Sequence, residues 1–142
     1  MAEKIFFAEM IENFDGIVLR TLKYSDSLII VDAYTRQHGR ASFLAPASRS
    51  KKSKVRSVLF QPLSMLSFTA SCRRGRQLSR INDVQPYSMY SSIPFNIVKS
   101  SIALYIAEML TYSLREEEGD ETLFAFLNRS FMLFDNLDNG YA

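Results

Sequence analysis

The hydrophobic rhythm of this chain changes near residue 85, and that change limits the folds open to it more than any other feature. Before it, short apolar and β-branched runs are separated by turn residues, the pattern of strands. After it, apolar side chains recur at three- and four-residue spacing, the pattern of helices. Residues 16–23 read as a first strand, 24–27 as a turn and 28–35 as a second strand. Residues 36–39 close a hairpin, with Gly39 suited to a positive φ. Residues 40–45 give a third strand, and 46–56 form a polar connection. A fourth strand over 62–70, a cationic turn over 71–76 and a fifth strand over 77–84 follow. Five short strands with one long connection between the third and fourth fit a small Greek-key barrel of the OB type.

The expected fold is therefore α+β: a five-stranded OB-fold barrel over residues 1–84, then an α-helical region over 85–142. Ser92 is placed to cap a helix with Pro94 near its first turn. Val98, Ile102, Tyr105, Ile106, Met109 and Leu110 then mark its apolar face. The run Glu116–Glu121 reads as a solvated break, in which Gly119 ends one helix and Asp120 starts the next. The second helix, from Leu123 to Leu137, is apolar nearly all round, which calls for burial on most sides. A chain of 142 residues does not easily bury both helices, so the second is expected to meet a neighbour or a continuation of the chain.

Charge is strongly segregated along the chain. Residues 1–19 are net −3, residues 20–80 carry thirteen bases against two acids, net +11, and residues 81–142 are net −6. The whole is only +2. So cationic a segment repels itself unless a polyanion or an acidic surface compensates, and a merely solvated basic face is the plain alternative.

Single-stranded nucleic acid is the polyanion that suits an OB barrel. It offers a phosphate thread and exposed base faces, so its binder needs a cationic groove and aromatic platforms. One cationic cluster is Arg49, Lys51, Lys52, Lys54 and Arg56 in the third connection. The other is Arg73, Arg74 and Arg76, with Arg80 nearby, at the last hairpin, whose loop flanks the binding face in OB barrels. Lys23 and Arg40, with Arg20 and Arg36, can complete the track, although Arg20 and Arg80 can equally pair with Asp26, Asp32 or Asp83. Tyr24 and Tyr34 are the stacking candidates. Under strict alternation Tyr34 shares a face with Asp32, and that face is expected to be the solvent side. Phe43, Phe60 and Phe68 are expected in the barrel core, and Tyr87 and Tyr90 between barrel and helices. His38 reads as a turn residue, and Cys72 as a small strand-end residue.

Other classes find little support. One cysteine and one histidine leave no disulfide framework, no multi-cysteine zinc site and no histidine-based triad. None of the five glycines lies within four residues of another, so no Gly-rich phosphate loop exists. No cofactor is expected, and the chain reads as a non-enzyme. No apolar run approaches a membrane span. Glu9 and Glu12 break the short apolar stretch at the N-terminus, so no signal peptide is read and a cytoplasmic location is expected.

Several segments resemble one family in their order and spacing. These are Gly16–Leu19, Tyr24–Leu28, Tyr34–Thr35 with Gly39–Arg40, Arg49–Ser53, Leu59–Leu63, Leu104–Leu110 and Leu114–Glu118. Together they resemble the N-terminal part of RecO, the bacterial mediator of recombinational DNA repair. Two departures stand out: Ala45–Pro46 occupies the place where the family often has a Lys-Gly pair, and RecO chains run longer, some with a zinc-binding cysteine cluster. The resemblance implies an OB barrel followed by a helical domain that this chain leaves incomplete. It further implies single-stranded-DNA binding and strand annealing, acting with RecR and the single-stranded-DNA-binding protein to help RecA load on coated strands. A barrel that binds RecR or an acidic tail, or one that binds RNA, are the alternatives.

Overall fold

In the computed structural model, which describes residues 10–47, 59–72, 78–114 and 119–138, all five expected strands form. They are β1 (Met10–Lys23), β2 (Leu28–Thr35), β3 (Gly39–Pro46), β4 (Met65–Cys72) and β5 (Ser79–Ser88). A 3-10 turn at Ile93–Phe95 leads into α1 (Ile97–Ser113), and α2 (Glu121–Asn136) follows. The strands close on themselves in the order β1-β2-β3-β5-β4, with every pairing antiparallel except a two-residue parallel contact between β3 and β5. This is an OB-like arrangement in an α+β chain.

β1 starts six residues earlier than its apolar run announces. Its first half, Met10–Ile17, pairs with β4, and its second half, Gly16–Lys23, pairs with β2 across a bulge between Val18 and Arg20. One long strand that bends to serve both sides closes the barrel. Its acidic residues Glu12 and Asp15 hid this extension from the hydrophobic pattern. The fourth strand begins late instead, at Met65, because Gln61–Ser64 form a tight turn: Leu63 has φ 67° and donates its N–H to Val18 at 2.7 Å. β5 runs past Pro86 to Ser88. Its pairing with β3 ends at Arg80, so Pro86 lies where the second edge carries no ladder for it to interrupt.

The interior follows period two. Phe14, Val18, Val31, Ala33, Phe43, Phe68, Ile81 and Val84 point inward, and Phe60 joins them from the third connection. Phe14 stacks on Phe68 with centroids 5.4 Å apart, and Phe43 meets both edge-on. Such pairs add about 0.5–1.5 kcal/mol each beyond the area they bury. Gly39 has φ 67°, as the hairpin requires.

A second core lies between barrel and helices, formed by Ile17, Leu19, Tyr34, Leu63 and Met65 with Ala103, Ala107, Phe124, Leu127 and Phe131. Here two expectations are corrected. Asn96, not Ser92, caps α1, accepting from the N–H groups of Val98 and Lys99, while Pro94 lies in the preceding 3-10 turn. More consequentially, α1 turns inward the stripe Lys99, Ala103, Ala107 and Thr111. Within this stripe the small Ala103 and Ala107 let the helix approach the barrel closely; Ile106 and Leu110 of the expected face pack partly against the core, and Val98, Tyr105 and Met109 are exposed. α2 buries Phe124, Leu127 and Phe131 and leaves Phe126 and Leu133 exposed. Asp120 caps α2 through the Leu123 N–H at 3.0 Å, as expected. Tyr90 donates to the Leu63 carbonyl at 2.6 Å and packs against this second core, and Tyr87 bonds Asn128 of α2, so both tyrosines lie between barrel and helices.

Candidate nucleic-acid interface

Strand register lays out the outer face of the barrel in rows. Leu22 lies opposite Ile30, Ile30 opposite Leu44, and Leu44 opposite Arg80, so these four residues cross β1, β2, β3 and β5 side by side. Towards one end the next row holds Leu28 and Pro46, beside the Tyr24 turn, whose N–H bonds the Leu28 carbonyl at 3.1 Å. Towards the other end the next row holds Arg20, Asp32 and Ser42, and beyond it Tyr34 pairs with Arg40.

The helices divide this face in two. The Tyr34 end is covered. Tyr34 is only 4% exposed and faces the Phe124 ring, with centroids 6.3 Å apart. Burial, then the Asp120 charge, raises its hydroxyl pKa above the ordinary tyrosine value. Asp32 is buried beside it, so the face expected towards solvent is the one the helical region packs on, and Tyr34 cannot stack on a base. Arg40 is also withdrawn from any groove. Its guanidinium donates to the Thr111 and Leu114 carbonyls at the C-terminus of α1 and pairs with Asp32 at 3.5 Å. A cation there satisfies end carbonyls and suits the negative end of the helix dipole.

Asp32 anchors this junction. It accepts from Arg20 Nε at 2.7 Å and from the Ser42 hydroxyl. Burial pushes its carboxyl upward, but Ser42, Arg20 and Arg40 outweigh burial and hold it below the ordinary aspartate value. Arg20 thus has the structural pairing allowed for it. Arg36 is likewise engaged, pairing with Asp15 at 3.5 Å and Glu121 at 3.8 Å and lying over the Phe124 ring. His38 sits in the β2–β3 turn and pairs with Glu12.

Among the described residues, no helix covers the other end. Leu22, Lys23, Tyr24 and Arg80 are exposed there, and Lys23 pairs with Asp26, 3.7 Å away and equally exposed. Arg49, Lys51, Lys52, Lys54, Arg56, Arg73, Arg74 and Arg76 lie outside the described residues. Of the described residues that flank them, Ala47 lies at this end, whereas Leu59 lies beside Met65, Pro86 and Ser88 at the far end of β5. Ala47, the last described residue before 48–58, donates its N–H to the Ser27 carbonyl at 2.9 Å. Ser79, two residues after segment 73–77, pairs with Phe43, about 13 Å along β3 from Ala47. The aliphatic row beside these cations was missed in the sequence, because register alone brings Leu22, Ile30 and Leu44 together.

Comparison with known proteins agrees with this architecture. A family model described as Recombination protein O N terminal matches residues 10–90, and one described as Recombination protein O C terminal matches residues 94–142. A protein of Phocaeicola vulgatus named DNA repair protein RecO is 45% identical over 133 residues, 94% of this chain and 55% of the relative. The protein of that name from Bacteroides fragilis is 44% identical over the same shares. That of Porphyromonas gingivalis is 34% identical over 129 residues, 89% of this chain and 53% of the relative. The chain therefore spans about half the length of these relatives, and it belongs to the RecO family of bacterial DNA repair proteins.

Proposed function

We propose that this chain is a non-enzymatic, single-stranded-DNA-binding and strand-annealing module of recombinational repair, working in the bacterial cytoplasm at the nucleoid. On this reading it acts with RecR and the single-stranded-DNA-binding protein to help RecA load on coated strands. Residues 1–84 supply the binding barrel and residues 85–142 the start of the helical domain. The supporting observation is the end of the outer barrel face that no described helix covers, where Lys23, Tyr24 and Arg80 are exposed. Lys23 with the clusters Arg49, Lys51, Lys52, Lys54, Arg56 and Arg73, Arg74, Arg76 would neutralise phosphates, and Tyr24 would stack on a base. Among the described residues no helix is long and apolar enough to cross a membrane.

Fluorescence anisotropy of a short oligo-dT at two salt concentrations tests this. With about five phosphates contacted, log affinity falls against log salt with a slope near −3.5. A slope near zero overturns the reading.

A second reading has its own support. The row Leu22, Ile30 and Leu44 is aliphatic rather than aromatic, better suited to a protein partner than to base stacking. RecR or an acidic tail would occupy it, and DNA contact would come from elsewhere. Competition between RecR and oligonucleotide for this chain separates the two. A Leu22→Asp change that abolishes RecR binding and spares the oligonucleotide favours the second.

A further inference from the structure

A cleft of about 210 Å³ opens where the barrel meets α1, lined by Leu19 and Arg20 of β1 and by Leu104, Glu108, Thr111 and Tyr112 of the helix. The helical residues are spaced by four, three and one, so they share one face. We propose that this cleft takes a single nucleobase that carries an exocyclic amino group. The inference rests on the single-stranded-DNA reading and deepens it.

Its size and walls point to a base. Sites for whole drug-sized ligands enclose roughly 300–1,000 Å³, so this smaller cleft suits one planar ring system. Tyr112 is 78% exposed and offers an aromatic face, and Arg20 offers a guanidinium plane. Both are surfaces on which bases stack. The buried Leu19 forms an apolar floor.

The charges select among bases. Glu108 sets a carboxylate, an acceptor for an N–H donor, on the helix wall of the cleft. Arg20 is already bound through Nε to Asp32. A carboxylate accepts from the exocyclic amine of cytosine, whereas thymine has no such group. Cytosine should therefore be preferred to thymine here.

The walls are fixed before any ligand arrives. Asp32 holds Arg20 on one side, and Arg40, held by the same carboxylate, donates to the Thr111 carbonyl on the other. Thr111 is further tied by its hydroxyl to the Ala107 carbonyl at 2.8 Å. A cleft rigid in the free protein loses less entropy on binding. It also lies on the path of the open face, since Leu22 follows Arg20 by two residues on the same side of β1, about 7 Å away.

The test is anisotropy of equal-length oligo-dC and oligo-dT at one salt concentration, with the 142-residue chain and two variants. Wild type should bind oligo-dC about fivefold tighter. Glu108→Ala should bring that ratio near one, and Tyr112→Ala should weaken both oligonucleotides about fivefold or more. Both residues are exposed, and circular dichroism would verify that each variant folds. Salt-dependent oligo-dT binding with no preference for dC, or with a ratio untouched by Glu108→Ala, overturns the base site and leaves the DNA reading standing. No binding of either oligonucleotide overturns both.

Discussion

Lys99 of α1 closes the C-terminal end of α2, and Asp135 of α2 closes the start of the 3-10 turn that leads into α1. The Lys99 ammonium, 2% exposed as a residue, donates to the Asp135 carbonyl at 3.0 Å, the Leu137 carbonyl and the Ser92 hydroxyl at 2.8 Å. The Asp135 carboxylate in turn accepts from the N–H groups of Ser91, Ser92 and Ile93 at 2.7–2.9 Å, just before α1. Carbonyls at the end of α2 and N–H groups at the start of the 3-10 turn, which would otherwise lack partners, are thus paired.

Truncating this lysine should therefore cost more than a surface change. Lys99→Ala leaves the buried Asp135 carbonyl and the Leu137 carbonyl without their charged donor, and should lower unfolding free energy by about 3 kcal/mol. Equilibrium urea denaturation reads this directly. A loss below 0.5 kcal/mol, the scale of a typical surface substitution, would show that the clasp is not stabilising.

Acid should act through the same clasp. Burial raises the Asp135 carboxyl, but the N–H groups of Ser91, Ile93 and Ser92 and the Ser91 hydroxyl outweigh burial and hold it at about 2. Its folded value lies below its unfolded one, so its stabilisation is complete above about pH 4 and is lost as pH falls through 2. The linked free energy is about 2–3 kcal/mol. Asp32 is shifted in the same direction and adds to the trend. Urea midpoints should stay level from pH 7 to 5 and drop between pH 4 and 2, with a shallower drop in Asp135→Asn. An equally steep drop in that variant would place the acid sensitivity elsewhere.

Tyr34 and Arg40 should behave as packing residues rather than DNA contacts. Tyr34→Ala should destabilise by about 3–5 kcal/mol. Tyr34→Phe should leave oligo-dT affinity unchanged. Arg40→Ala should lower stability while the salt slope keeps its wild-type value, whereas Lys23→Ala should reduce the slope by about 0.7. A smaller slope in Arg40→Ala would return Arg40 to the phosphate track.

Gly119 seats the linker between the helices against the β2–β3 turn. A Cβ at 119 would clash with the Arg36 carbonyl oxygen and come within 2.8 Å of the Gln37 carbonyl. These are backbone atoms, which cannot swing aside, so Gly119→Ala should cost about 1–3 kcal/mol. A thermal midpoint unchanged in this variant would mean that the linker simply moves.

Local chemistry made much of the fold legible. Residues 28–35 form β2 with the expected bounds, because eight residues of β-branched and apolar chain sit between two turns. Gly39 adopts its positive φ, Asp120 caps its helix, and Phe43, Phe60 and Phe68 reach the core. Each of these depends on a residue and its near neighbours in sequence.

The failures share the opposite cause. Alternation correctly put Asp32 and Tyr34 on one face, but only the docked helices decide that this outer face is covered. The apolar spacing of α1 pointed to Val98, Ile102, Tyr105, Ile106, Met109 and Leu110; Ile106 and Leu110 do pack against the core, but Val98, Tyr105 and Met109 are exposed, and the small Ala103 and Ala107 lie deepest because close approach needs small side chains. Arg40 looked like one more base in a cationic run, and became a helix cap through Thr111, seventy-one residues away. By itself the sequence determined the existence of the five strands, the Gly39 turn, the Asp120 cap and the strong positive charge of residues 20–80, since these follow from local periodicity and composition. Tertiary structure alone decided which cations are consumed as internal struts, which end of the barrel the helices cover, and where a cleft forms, since those depend on which distant surfaces exclude water from one another.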